Sequence, residues 1–338
     1  MTYKDGSDRL GLTYGRKVSL PGRTFTIRNV KEIPLTMGDL VAEKEASVEM
    51  AAWLWFVFEK GASGLIFGST DSGKTTLLSA LLAFVPYPKK ILVMTYDRWL
   101  GQFTSLDQSC KTLNIHDRLV SPLGRMPDNV NVYEMQEAGI YALPHGTFTD
   151  RPQYITLRAE SLNDLTKKLT ANIATESHAP DVLGLVNSMN FIVHIGQVLL
   201  SATGLVRRRR VLNIWENRPA EYRTHGMGKV SIEPEFVKDR LGRGLFTYTS
   251  MTDSFEGLSD GVLEGYLLDY FAGRDGMSHE AALKDLNRRA TVINYIVAER
   301  AHLNSFQMYL AINYYGKVKK LKESWLKYAV NLPYEEGI

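Results

Sequence analysis

At 338 residues the chain has length for two or three domains and a large buried core. Its 44% hydrophobic and 23% charged residues exclude a disordered or fibrous chain and match an ordinary soluble globular protein. A net charge of +3 is too small to mark a nucleic-acid footprint, and a single cysteine, Cys110, excludes an intrachain disulfide and suits a reducing cytosol.

In chain order, the first six residues lack the apolar core of a signal peptide. Residues 17–20, a Pro21-Gly22 turn and the alternating run 23–28 predict short strands, a β segment over 1–33. Helical pattern begins after Pro34. Residues 50–58 are apolar on every face, so that helix is buried or meets another subunit. Residues 64–67 read as a buried strand and 77–82 as a helix. Between them stands a complete phosphate-binding loop: Gly68, Ser69, Thr70, Asp71, Ser72, Gly73, Lys74, Thr75, Thr76. Strand, glycine loop and helix are the setting this motif requires. Glycine permits the tight turn, and the loop's N–H groups and the helix N-terminus then face the phosphates of a nucleoside triphosphate. The motif predicts ATP with Mg²⁺, Lys74 on the β- and γ-phosphates and the Thr75 hydroxyl on the metal.

Further along, 91–96 and 130–133 read as strands ending at Asp97 and Glu134. Strands alternating with helices, each closing on a polar residue, predict a mainly parallel sheet with ligands at the carboxyl ends. Glu134 is placed to orient or deprotonate the attacking water. Asp97 is placed either to hold a magnesium-bound water or to cap its strand. Ser161 and Asp164 open a capped helix with apolar residues at 162, 165, 169 and 173. The uncharged stretch 184–206 carries too many polar groups for a membrane span and reads as a buried strand with turns. The strand at 206–214 carries Arg207, Arg208, Arg209 and Arg210; alternate arginines face opposite ways, which predicts a solvated or edge strand and no nucleic-acid patch. From Ser254 the pattern is helical to Trp325, over 261–271, 279–301 and 304–315, with turns at 273–276 and near His302. The seven histidines lack metal-ligand spacing, which predicts no structural metal. The predicted organisation is a β segment over 1–33, an α/β core over 34–250 and a helical region over 251–338.

The loop has the form Gly-x-Thr-x-Ser-Gly-Lys-Thr-Thr, and with its surroundings it resembles the type II/type IV secretion ATPase superfamily, in particular the archaeal branch that drives pilus and archaellum assembly. Residues 25–28 with Pro34 and Asp39 resemble the entry to that family's core. Residues 51–55 with Glu59 and Gly61 resemble the helix before its first strand, and 126–128 leading to Glu134 its degenerate Walker B strand. His145-Gly146 resembles the start of its histidine box, and Arg288, Arg289, Tyr314 and Tyr315 its helical tail. The resemblance implies a RecA-like P-loop core with a short N-terminal β segment and a C-terminal helical region. It also implies a homo-hexameric ATPase, cytoplasmic and peripherally membrane-associated, working on a membrane platform protein of a pilus or secretion system. It implies that His145 senses the γ-phosphate and that Arg28, with Arg23 beside it, reaches a neighbouring subunit's nucleotide as a finger. Three departures stand out. Tyr96-Asp97 replaces a pair of carboxylates. Met135-Gln136 follows Glu134 where an arginine is usual. Thr156-Leu157-Arg158-Ala159 carries Arg in place of His, with about six extra residues (150–155) before it, which offers Arg158 as a substitute finger. Two other readings stay open: a nucleic-acid translocation or packaging ATPase of a mobile element or virus, and an assembly subunit that binds nucleotide with impaired hydrolysis.

Overall fold

A computed structural model describes residues 2–5, 8–13, 24–28, 35–86, 90–95, 111–114, 129–134, 152–173, 188–200, 206–217, 241–257, 265–300, 302–303 and 305–329. The chain divides into two compact units, Met1–Pro34 and Leu35–Ile338. The first is a three-stranded antiparallel sheet of β1 (Thr2–Asp5), β2 (Asp8–Thr13) and β3 (Thr24–Arg28). Arg28 closes β3 opposite Arg9.

The second unit is built on one nine-stranded sheet. Its strands are β4 (Gly64–Gly68), β5 (Lys90–Thr95), β6 (Lys111–Asn114), β7 (Asn129–Glu134), β8 (Gln153–Arg158), β9 (Phe191–Leu199), β10 (Arg207–Asn217), β11 (Leu241–Thr249) and β12 (Ser254–Gly257). Their order is β12-β11-β10-β9-β4-β8-β7-β5-β6. Six strands, β9 to β6 in that order, run parallel, and β10, β11 and β12 extend the sheet antiparallel. This is the α/β, RecA-like P-loop core with a mainly parallel sheet. The phosphate-loop strand β4 is central and buried at every position, as a strand covered on both faces must be.

Helix α1 (Met37–Ala42) opens on a capping box in which Thr36 and Asp39 satisfy each other's backbone N–H. Helix α2 (Val48–Lys60) is capped by Ser47 and stopped by Gly61 at φ +80°. Its all-round apolar face is used twice. Towards the sheet, Trp53 meets Phe191 edge-on at 5.8 Å and Phe58 stacks on Tyr154 at 4.0 Å. Away from the sheet, Trp55 lies against Phe84 and Tyr315. Burying each such ring is worth about 1.5–3 kcal/mol, and α2 is the spine of the unit.

Helix α3 (Lys74–Leu82) follows the phosphate loop and α4 (Leu162–Ile173) follows β8, with Ser161 capping Asp164 as its sequence predicts. The C-terminal helices are α5 (Tyr266–Arg274), α6 (His279–Glu299) and α7 (Ser305–Val318), then a 3₁₀ turn at Glu323–Tyr328. Helix α6 packs along α2, so these helices share the core of this unit. Among the described residues no helix is long and apolar enough to cross a membrane.

Three sequence expectations change. Residues 254–257, read as the onset of helix, form β12, paired with the end of β11. Residues 153–155, read as part of an insertion, are the first half of β8, the strand between β4 and β7. The arginine strand β10 is neither an edge nor solvated throughout: it lies between β9 and β11, and Arg210 is 2% exposed. Its guanidinium grips Asp253 with two bonds of 3.0 and 3.1 Å.

Candidate functional site

Strand β4 ends at Gly68, the chain turns through residues 69–73, and α3 begins at Lys74. Two glycines make the turn possible, for different reasons. Gly73 sits at φ +99°, a left-handed conformation that a side chain would strain. Gly68 is required by space: a Cβ there would lie 2.0 Å from the Ile195 carbonyl oxygen and 2.6 Å from Ser72 Oγ. Since one obstacle is backbone of β9, relief requires moving a strand. Gly68→Ala is therefore expected to cost about 1–3 kcal/mol of stability and to displace the loop. Denaturant melts paired with a nucleotide titration check this, and a variant matching the parent in both would contradict it.

Within the loop, Lys74 Nζ donates to Ser69 O at 2.6 Å and the Ser72 N–H donates to the same oxygen at 3.3 Å. Leu77 N–H closes the first helical turn onto Gly73 O at 2.8 Å. Thr70 and Asp71 are exposed at the loop's apex, whereas Ser72 is buried, its Oγ without a hydrogen-bond partner among the described residues. Lys74 and the Ser72 N–H thus meet at Ser69 O, beside the N-terminus of α3. A helix N-terminus with convergent N–H groups favours an anion.

Strand β8 lies between the loop strand and β7. Arg158, its last residue, is in register with Gly68, and Ala159 N–H donates to Gly68 O at 3.2 Å. Arg158 is exposed, and its carbonyl accepts from Lys168. It shares a sheet face with Tyr154, which packs against α2. That is also the face on which the buried residues of α3 join the α2 core. A cation therefore stands at the end of the strand adjoining the loop. Glu134 ends β7 in register with Thr156, which is itself level with Ile66 of β4. At the usual strand spacing this puts Glu134's backbone about 10 Å from β4, across one strand. Asp97 and His145 lie outside the described residues. Arg28 belongs to the separate N-terminal unit.

The structure adds residues that sequence reasoning passed over. Gln197 Nε2 and Arg209 Nε both donate to Asp71 O, at 3.1 and 3.2 Å. Behind the loop strand, His194 stacks on Phe67 with ring centroids 4.4 Å apart. Burial pushes its imidazole below the ordinary range, against the opposing bonds to Asn213 and the Glu160 backbone. The only sequence signal for Arg209 was its place in an arginine run, which by itself says nothing of what lies across from it.

No protein-family model matches the chain. A protein of Methanocaldococcus jannaschii described as uncharacterized protein MJ0900 is 42% identical over 90 residues, 27% of this chain and 16% of that protein. A second from the same organism, uncharacterized protein MJ1287, is 22% identical over 278 residues, 79% of this chain and 94% of its own length. The chain thus spans less than a fifth of the first relative. Among solved structures, the chain is similar to the VirB11 ATPase of the Brucella suis type IV secretion system, at 14% identity over 64% of this chain and 73% of that one, TM-score 0.35. It is also similar to the Yersinia pseudotuberculosis ATPase DotB, at 16% identity over 83% and 69%, TM-score 0.44. The fold class rests on this chain's own strand order and phosphate loop.

Proposed function

We propose that the chain binds Mg·ATP at the phosphate loop and hydrolyses it as a divergent motor of the type II/type IV secretion ATPase superfamily. The observation that carries this reading is the loop itself: a buried central strand, two required glycines, and a lysine folded back into the loop at the N-terminus of α3. The motif resemblance along the chain supports the motor class. The working unit would be a homo-hexamer, cytoplasmic and peripherally membrane-associated, acting on a platform protein to assemble a pilus-like filament or export protein.

Hydrolysis transfers the γ-phosphoryl group to water, so the protein must neutralise charge and place the nucleophile. Lys74 and the loop N–H groups take the β- and γ-phosphate oxygens. Thr75, in the first turn of α3, fits a hard cation's need for a neutral oxygen. A Mg²⁺ held there would supply charge neutralisation. Glu134 would orient the attacking water and accept its proton, and Asp97 would help hold the metal through a water. His145 would sense the γ-phosphate, Arg158 would act as a substitute finger, and Arg28 would serve the nucleotide of a neighbouring subunit. Closure over the nucleotide, sensed through the γ-phosphate, would drive the mechanical step.

Glu134→Gln keeps the shape and removes the base. It is expected to leave nucleotide affinity within about threefold and to lower turnover about a hundredfold or more. Equal losses in binding and turnover would remove Glu134 from this role. A second reading, a nucleotide-binding assembly subunit with impaired hydrolysis, is favoured by Arg158 standing where the family has histidine. Phosphate release by the wild-type chain, with and without DNA at low and high salt, separates the readings. The mass of the nucleotide-bound particle tests the hexamer. DNA stimulation that falls steeply with salt would instead select a nucleic-acid translocase.

A further inference from the structure

The β9–β10 hairpin reaches the phosphate loop with two side chains that are register partners, Gln197 and Arg209. Both donate to one carbonyl, that of Asp71. The stem of Arg209 also borders Gly73, where a Cβ would sit 3.0 Å from Arg209 Cδ. Peptide planarity extends the consequence to the next amide. In a trans peptide the Asp71 C=O and the Ser72 N–H point opposite ways. Holding the carbonyl towards the hairpin therefore turns the Ser72 N–H into the loop. There it meets Ser69 O, the oxygen that also accepts Lys74 Nζ. An anionic phosphate oxygen at that point is the stronger acceptor for both donors. Asp71 itself sits at φ +59°, unfavourable for an L-residue, and the two bonds offset that cost.

We infer that Arg209 and Gln197 are positioning residues of the loop, holding the Asp71–Ser72 peptide so that its N–H is aimed at the β- and γ-phosphates of a bound nucleotide. The inference rests on the loop being the nucleotide site proposed above. It assigns a purpose to one arginine of the run 207–210. Arg210 is occupied by Asp253, and Arg207 and Arg208 are exposed.

The test uses the bond count of the side chains. Glutamine carries its Nε2 as many bonds from Cα as arginine carries Nε, so Arg209→Gln keeps a donor in place without the charge, and Arg209→Met removes it. Calorimetric titration with Mg·ADP is expected to show about threefold weaker binding for Arg209→Met and wild-type affinity for Arg209→Gln. The double variant Gln197→Met/Arg209→Met is expected to bind about thirtyfold more weakly, beyond the product of the singles, because either donor alone holds the carbonyl. Gln197→Met/Arg209→Gln should recover to the single-variant level. Arg207→Met, which removes the same charge two residues away, should bind as wild type. Thermal melts accompany each variant, and if the double does not fold, the Met and Gln replacements at 209 carry the comparison. Equal weakening by Arg209→Met and Arg209→Gln would show a charge effect and overturn the positioning role. So would wild-type affinity in the double variant while Lys74→Ala loses binding, which leaves the loop assignment intact. Wild-type binding in Lys74→Ala would overturn the loop assignment itself.

Discussion

Lys74→Ala is expected to abolish ATP turnover, a loss of roughly a thousandfold or more. The lysine's ammonium is held in the loop by Ser69 O, 2.6 Å away, at the N-terminus of α3. In phosphoryl transfer the protein contributes position and charge rather than covalent chemistry, so removing the one cation built into the loop removes the larger part of that contribution. The fold should not follow the activity. Lys74 is half-buried and lies at a helix start, so the variant's stability is expected within about 1 kcal/mol of the parent. Phosphate release and a urea melt on the same preparation check both statements. Turnover that survives, or is lost only together with the fold, would speak against the role.

The second large effect is on stability and lies in the C-terminal helices. Arg289 of α6 is 0% exposed. Its Nε donates to Asp285 at 2.8 Å and its Nη1 to Glu59 of α2 at 2.7 Å. Nη2 lies 2.8 Å from the same Asp285 oxygen, at ion-pair distance but without the alignment of a hydrogen bond. The Tyr315 hydroxyl donates to the other Asp285 oxygen, Lys319 pairs with Glu59, and the guanidinium lies 5.0 Å from the Trp55 ring. Arg289→Ala leaves two largely buried carboxylates without their shared cation, which costs about 3–5 kcal/mol. That is a large part of an ordinary domain's total stability.

The pH dependence of this loss has a sign. Burial raises the Asp285 and Glu59 carboxyls, but Arg289, joined by Lys319 at both and by the Tyr315 hydroxyl at Asp285, holds both below the ordinary carboxylate range. Depressed groups contribute stability that is present above their unfolded pKa, about 4, and lost as pH falls through the folded value. In the variant the carboxyls protonate more readily. The deficit against the parent is therefore expected to be largest near pH 7 and to shrink towards pH 4. Urea melts at the two pH values test this; a deficit below 1 kcal/mol at pH 7, or one that grows on acidification, would contradict it.

What the sequence made legible is local. The phosphate loop, β4, β5, β7, the Ser161 cap and the C-terminal helices follow from glycine placement and apolar period within a dozen residues. What it hid is non-local. Gln-Tyr-Ile-Thr-Leu-Arg at 153–158 alternates like any half-buried strand, and only its pairing with β4 and β7 makes it the buried strand beside the loop. The arginine run shows which residues share a face, not that Arg209 meets Asp71 from 138 positions away. Arg289 falls in the segment that resembles the helical tail, and nothing near it in sequence shows that Glu59, 230 positions earlier, is its partner. Parallel sheets place their functional neighbours through such long crossovers, and no short window of sequence contains both partners.

Calorimetric titration of Mg·ATP into the purified chain and into Lys74→Ala tests the central claim most directly. Saturable binding of one nucleotide per chain, lost in the variant, is the predicted result. Absence of binding by the parent, or equal binding by the two, would contradict it.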